Sequence, residues 1–226
     1  MSGDNPDRRF TKAAEPPLPA NDATKIAEAE VRNGLRQYDL AMRMARGAFE
    51  GDAAFRLRPS MILSLHREAL DGLSSYAGNY RPGSVEIGNS KHQPPGAHLV
   101  SELVEGLCDY VNSAWEEESA IHLAAYIMWR LNWIHPFTDG SGRTSRIVSY
   151  LVLTIKSGHL LPGAVTIPEQ IVKNRRPYFE ALEHSDACFA ESGKIGVGQM
   201  EALIESLLAA QLIEFLRSVG GLAARE

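Results

Sequence analysis

Hydrophobic side chains along this chain gather in two dense runs, residues 121–133 (IHLAAYIMWRLNW) and 143–157 (RTSRIVSYLVLTIKS). Each is long enough for a helix and apolar on more than one face, which predicts buried helices rather than surface ones. His135-Pro136 should end the first, because the residue before a proline avoids the αR region, and Gly158 should close the second as a left-handed C-cap. Around these runs the periodicity becomes amphipathic. Asp22 or Thr24 can cap a helix reaching about residue 50, with Ile26, Leu35, Tyr38, Leu40, Met42 and Phe49 at apolar positions and a break available at Gly34. A second helix is expected after Pro59, with Met61, Ile62, Leu65, His66 and Leu70 on one face, where His66 reads as a satisfied core histidine. Residues 99–115 repeat the pattern through Leu99, Leu103, Leu107 and Tyr110. Pro168 should open a helix through about residue 187, and a final amphipathic helix over residues 200–219 should pack on the domain or, as a homodimer contact, on a second copy.

Three stretches lack helical periodicity. Residues 1–21 are rich in Pro, Asp, Arg and Ala and read as a disordered tail. Residues 76–98 (YAGNYRPGSVEIGNSKHQPPGAH) set a short strand seed, Val85-Glu86-Ile87, among turn signals. Glu116, Glu117 and Glu118 read as a solvated helix start. The organisation predicted is all-α: a tail (1–21), an N-terminal helix region (22–57), a core domain (58–190) and a C-terminal helix packed on it (191–226).

Composition narrows the possible functions. A chain of 226 residues with 44% hydrophobic content can bury one good core. With 23 basic and 28 acidic residues the net charge is −5, which offers no broad footprint for nucleic acid. Cys108 and Cys188 have no C-x-x-C spacing, which argues against a zinc site or a disulfide framework and for a reducing, cytoplasmic setting. Arg130 interrupts the most apolar helix and no run reaches bilayer length, so no membrane span is expected.

Candidate chemistry lies between the two runs, at residues 134–146 (IHPFTDGSGRTSR). Backbone N–H groups at Gly140, Ser141 and Gly142, at the start of a helix, would form an anion cradle suited to phosphate. Arg143 and Arg146 share a helix face at that end and can clamp phosphate oxygens. Asp139 offers the single carboxylate with which proteins hold Mg²⁺ against a phosphate chain. His135 titrates near neutrality and could take a proton from an attacking hydroxyl.

Residues 135–146 resemble the Fic-family signature H-P-F-x-D/E-G-N-G-R-x-x-R, with Ser141 where the family has Asn. The resemblance covers about residues 61–186. It implies a helical fold with a small β-hairpin flap, transferring AMP from ATP with Mg²⁺ to a Ser, Thr or Tyr hydroxyl of a protein, or removing AMP in reverse. It implies His135 as base, Asp139 as the magnesium ligand, Arg143 and Arg146 as the phosphate clamp, Phe137 as an anchor under the loop, and Gly140, Ser141 and Gly142 at the phosphates. In the same resemblance Val85, Glu86, Ile87 and Gly88 belong to the flap that aligns a target by strand addition, with Lys91 and His92 nearby. Residues 174–186 are similar to the family's next helix, which places Phe179 and Asp186 at the adenine; Tyr178 and Phe179 read equally as core aromatics. Thr24 to Glu28 fit the first five places of the inhibitory pattern S/T-x-x-x-E-G/N, although Ala29 departs from it. That implies a Glu28–Arg146 pair, with Glu30 the alternative. Two other readings stay open: phosphoryl transfer on the same fold, against which Gly142 argues, and a nucleotide-sensing module weakened by Ser141.

Overall fold

Eight helices and two short strands follow one another among the described residues of a computed structural model, which covers residues 9–13 and 22–223. In chain order they are β1 (Phe10–Lys12), α1 (Ala23–Glu50), α2 (Pro59–Leu70), β2 (Glu86–Gly88), α3 (Val100–Ser113), α4 (Ala120–Ile134), α5 (Ser141–Lys156), α6 (Ile167–Lys173), α7 (Arg176–Ser192) and α8 (Gly198–Ala223). The fold is helical, as the periodicity implies. No helix among the described residues is long and apolar enough to cross a membrane.

The two dense runs form α4 and α5 at the centre. α4 buries Leu123, Ala124, Ala125, Tyr126, Ile127, Met128, Trp129, Leu131 and Ile134, so its apolar surface extends around the helix. Each fully buried aliphatic side chain of this kind contributes about 1.5–3 kcal/mol. Small residues let α5 approach closely: Ser149 Oγ donates to Ala124 O at 2.8 Å, and Asn132 Nδ2 donates to Ser145 Oγ at 2.7 Å. Ser119 caps α4 by accepting from the His122 N–H at 2.9 Å.

α1 runs unbroken through Gly34, and its buried face differs from the expected one. It buries Asn33, Gln37, Ala41, Met42 and Ala45, while Leu35 is 65% exposed. The reason is polar contact with α2: Asn33 Nδ2 donates to Asp71 O at 2.8 Å, just past the helix end, and Gln37 Nε2 to Leu65 O at 3.1 Å, within it. α3 likewise turns Val100, Val104, Leu107, Cys108 and Val111 inward and leaves Leu99 38% exposed. The acidic run 116–118 is a turn between α3 and α4 rather than a helix start. The helix expected from Pro168 to about residue 187 is two helices, α6 and α7, because Pro177 has no N–H to continue the ladder.

Two expectations about β structure are corrected. Within the tail expected over residues 1–21, residues 10–12 form β1; residues 1–8 and 14–21 lie outside the described residues. The expected flap hairpin is absent among the described residues. Its strand β2 instead pairs antiparallel with β1, in the register Phe10↔Gly88, Thr11↔Ile87 and Lys12↔Glu86. The chain leaves β2 through Asn89, whose φ of 59° breaks extension, and Pro94 and Pro95 bring no N–H for a return strand.

α8 packs on α4, α6 and α7, leaving Ile213, Leu216 and Val219 on its outer side. Its buried Gln211 ties it to the core: Nε2 donates to Tyr150 Oη at 3.0 Å and Pro162 O at 2.8 Å, and Oε1 accepts from the Ile167 N–H at 3.1 Å. Gln211→Leu keeps the volume but strands these partners, so denaturant unfolding should show a loss of about 1–3 kcal/mol. A neutral result would mean that water replaces the amide.

Candidate active site

The last turn of α4 delivers His135 in the left-handed region, φ 49° and ψ 62°, a conformation that a non-glycine residue holds only under external constraint. Arg81 supplies that constraint. Its Nε donates to His135 O at 2.8 Å, Nη2 to Ile134 O at 3.5 Å and Pro95 O, and Nη1 to Gly83 O at 2.9 Å. Its own N–H donates to Pro136 O at 2.9 Å. Burial pushes the Arg81 pKa down, yet the guanidinium keeps its charge and sits at the negative end of the α4 dipole.

His66 fixes the loop that follows. Its Nδ1 accepts from the Gly78 N–H at 2.9 Å, which leaves the proton on Nε2 to be donated to Asp139 O at 3.0 Å. Phe137, fully buried, stacks on the same ring at 3.6 Å between centroids and 5° between planes. Phe137 therefore sits beneath the loop and does not line the cavity. Ser141 is also buried. Its Oγ accepts from Phe137 N–H at 3.3 Å and faces Phe137 O at 3.5 Å, fastening the loop to itself rather than reaching for a phosphate. Gly140 is required here, because φ is 77° and a Cβ would stand 2.5 Å from Leu70 Cδ2.

α5 begins with Thr144 N–H donating to Gly140 O at 2.9 Å. Ser141, Gly142 and Arg143 therefore have N–H groups without intrahelical acceptors. The Gly140 N–H is taken by Asp139 Oδ1 at 2.6 Å, so the cradle lies one residue later than the sequence suggests. It opens on a cavity of about 560 Å³ that is also lined by Arg143, Arg146, Arg175, Tyr178, Phe179, Asp186, His92 and His135. A Cβ on Gly142 would meet Arg146 Nη1 at 3.3 Å, so glycine keeps that approach open. Three arginines around a helix start give the cavity a cationic lining beside free N–H donors.

Asp139 is on the rim with its Oδ2 3.5 Å from Arg143 Nη2. No group of three metal-binding side chains occurs among the described residues, so a divalent ion at Asp139 would take its other ligands from a phosphate chain and water, a donor set suited to Mg²⁺. Asp186 accepts from Trp129 Nε1 at 2.9 Å and lies 3.8 Å from His92 Nδ1. His92 Nε2 is 2.7 Å from Trp133 O, while Lys91 is exposed and away from the cavity. In the flap Val85 is buried; Glu86, Ile87 and Gly88 carry the pairing to β1. Glu28 is exposed and does not line the cavity, whereas Glu30 does and pairs with Arg143 Nη2 at 3.0 Å. The expected Glu28–Arg146 pair is not formed.

Residues the sequence reading passed over complete the site. Arg81 and Asn132 have no distinguishing pattern; Asn132 Nδ2 donates to Tyr178 Oη at 2.7 Å. Arg175 lies within residues 174–186, where the family resemblance implies no role for it. Arg9, Phe10 and Thr11 line the cavity from the opposite end of the sequence. Arg9 lies 4.4 Å over the Phe179 ring and pairs with Glu183. Thr11 Oγ1 stands 2.8 Å from His135 Nε2.

Residues 56–153 match the Fic/DOC family model. Over 155 residues the chain is 32% identical to proteins named protein adenylyltransferase Fic from Drosophila persimilis and Drosophila willistoni, a match covering 67% of this chain and 28% of theirs. The chain thus spans less than a third of those relatives. A Fic domain containing signalling protein from Bacteroides thetaiotaomicron has a TM-score of 0.69 at 20% identity, covering 89% of this chain and 76% of that one. Fic-1 from C. elegans gives 0.64 at 20%, covering 93% and 56%. BepC from Bartonella tribocorum, solved with bound AMPPNP, gives 0.52 at 15%, covering 83% and 88%. At these identities the solved structures establish a common fold alone.

Burial lowers the His135 pKa from 6.5 to about 4, with His92 and Arg81 pushing the same way and the Asn132 backbone opposing. NMR titration should therefore find a midpoint near 4. The folded pKa lies below the unfolded one, so the folded state binds fewer protons and stability falls as pH drops from about 6.5 toward 4. Relative to His135→Gln, which does not titrate, the loss should be on the order of 3 kcal/mol. A midpoint at or above 6.5 would contradict the burial.

Proposed function

The chain belongs to the Fic/DOC family through residues 56–153, and on that premise we propose that it is a protein nucleotidyltransferase moving AMP from Mg-ATP to a Ser, Thr or Tyr hydroxyl. The observation that carries this reading is a neutral, buried histidine opening on the same cavity as three arginines and a helix start. A polyphosphate would rest on the N–H groups of Ser141, Gly142 and Arg143 and be gripped by Arg143, Arg146 and Arg175. His135 Nε2 accepts the hydroxyl proton while the oxygen attacks the α-phosphate. Pyrophosphate leaves, its charge offset by the arginines and loop amides. Magnesium held at Asp139 would supply Lewis-acid neutralisation of phosphate charge. The AMPPNP bound by BepC supports an ATP-like occupant for this fold.

Removal of AMP would need an imidazolium to protonate the departing hydroxyl, whereas transfer starts from the neutral imidazole that burial favours. Phosphoryl transfer would need the nucleotide reversed, and the space at Gly142 supports the ordinary orientation. Ser141 fastens the loop to Phe137, so it supports the loop's shape without adding a side-chain donor to the phosphates. The free cysteines, Cys108 and Cys188, support a reducing, cytoplasmic location.

Any restraint from α1 acts through Glu30 rather than Glu28. Because Glu30 and Arg143 are 46% and 30% exposed, their pair contributes at most about 1 kcal/mol. Glu30→Gly should raise ATP affinity by no more than about fivefold, and Glu28→Gly should leave titration calorimetry unchanged. A large gain from Glu28→Gly would restore the Glu28–Arg146 arrangement.

His135→Ala should cut transfer of label from α-labelled ATP by about 10²-fold or more with nucleotide binding nearly intact. Protein labelled from γ-labelled but not α-labelled ATP would identify a phosphotransferase instead.

A further inference from the structure

We infer that Thr11 is an acceptor hydroxyl of this enzyme's own reaction, presented in cis by β1; this rests on the nucleotidyltransferase reading above. Thr11 Oγ1 stands 2.8 Å from His135 Nε2. With the neutral imidazole protonated on Nδ1, Nε2 offers its lone pair and the threonine donates, which is the geometry a general base needs before transfer. Of residues 1–21 only Ser2 and Thr11 carry a hydroxyl, so the register of β1 decides that a hydroxyl arrives at all.

Independent contacts lock that register. The Phe10 ring covers Gly88, where a Cβ would come within 2.6 Å of ring carbons, so glycine makes the seat for this aromatic. Lys12 is opposite Glu86, a cross-strand pair of opposite charge. Arg9 pairs with Glu183 and lies over Phe179. Shifting the strand by one residue would break each contact and turn Thr11 to the other face of the sheet.

The step balances with the substrate already named. The Thr11 hydroxyl proton passes to His135 Nε2, Oγ1 forms a bond to the α-phosphorus of ATP, and the bond from that phosphorus to the bridging oxygen breaks. The products are Thr11 O-AMP and pyrophosphate, with the proton released from His135 to solvent.

The full-length protein incubated with α-labelled ATP and Mg²⁺ and mapped by peptide mass spectrometry tests this. Label should lie on Thr11, at a first-order rate independent of protein concentration. Thr11→Ser should keep it, and Thr11→Val and His135→Ala should lose it. Gly88→Val, which unseats Phe10, should slow Thr11 labelling by about tenfold or more. Label on other residues of this chain or on lysate proteins, with none on Thr11, would overturn the cis acceptor while leaving nucleotidyl transfer standing. A Thr11 rate that rises with protein concentration would overturn presentation in cis. No α-label on any protein would overturn both readings.

Discussion

The Arg81 guanidinium gathers the carbonyls of Ile134, His135, Gly83 and Pro95, and the placement of His135 follows from that gathering. Burying a cation is costly unless its donors are satisfied, and here they are met by a helix end where the dipole is negative. The same bonds hold His135 in a left-handed turn that directs the chain away from α4. Without them the terminal carbonyls of α4 would lack partners and the histidine could relax toward ordinary backbone angles. Arg81 also attaches the flap to the motif loop, since Gly83 and Pro95 lie on either side of β2. His135 and β2 are therefore positioned by one side chain.

A second line of support runs from α1. Gln37 and Asn33 bind carbonyls within and just past α2, α2 carries His66, and His66 holds Asp139 O while stacking on Phe137. Each link is a hydrogen bond or ring contact made by a buried side chain, so a shift of α1 would be felt at the loop. Glu30 belongs to the same helix and touches Arg143 directly. α1 thus meets the site twice, through a buried polar relay and through an exposed ion pair. The buried relay carries more of the stability, because an unsatisfied buried amide costs about 1–3 kcal/mol and an exposed pair contributes at most about 1.

What the sequence disclosed follows from locality. The site residues from His135 to Arg146 are contiguous, so helix stop, glycine loop and helix start can be read in order and the base, carboxylate and clamp assigned along them. The central helices were legible because apolar density needs no partner to be recognised. Polar burial was not legible: Asn33 and Gln37 look like surface positions until α2 is placed against them, and Arg81 looks like any charged loop residue until four carbonyls surround it. The contact made by Ser141 was not legible for a similar reason, since its partner is the backbone of Phe137 and backbone partners leave no trace in composition. β1 was hidden most completely. Three residues with no alternation form a strand only because β2, far along the chain, offers an edge.

That dependence makes the hold on β1 shallow. Ordering its three residues costs about 1–2 kcal/mol each, while cross-strand pairs return about 0.2–1 kcal/mol each and the Arg9–Glu183 pair is partly exposed. The segment stays docked chiefly because it belongs to the same chain, which gives it an effective concentration on the order of millimolar. On the proposed reading, a protein target at micromolar concentration that reaches His135 by pairing with β2 would have to displace it from a disadvantage of about a thousandfold, roughly 4 kcal/mol. A target could reverse that only through side-chain contacts, because β2 is three residues long and its extension ends at Asn89. The short docked strand and the exposed edge it covers therefore act together: contacts are too few to seal the site, yet sufficient to exclude hydroxyls that arrive without a strand of their own.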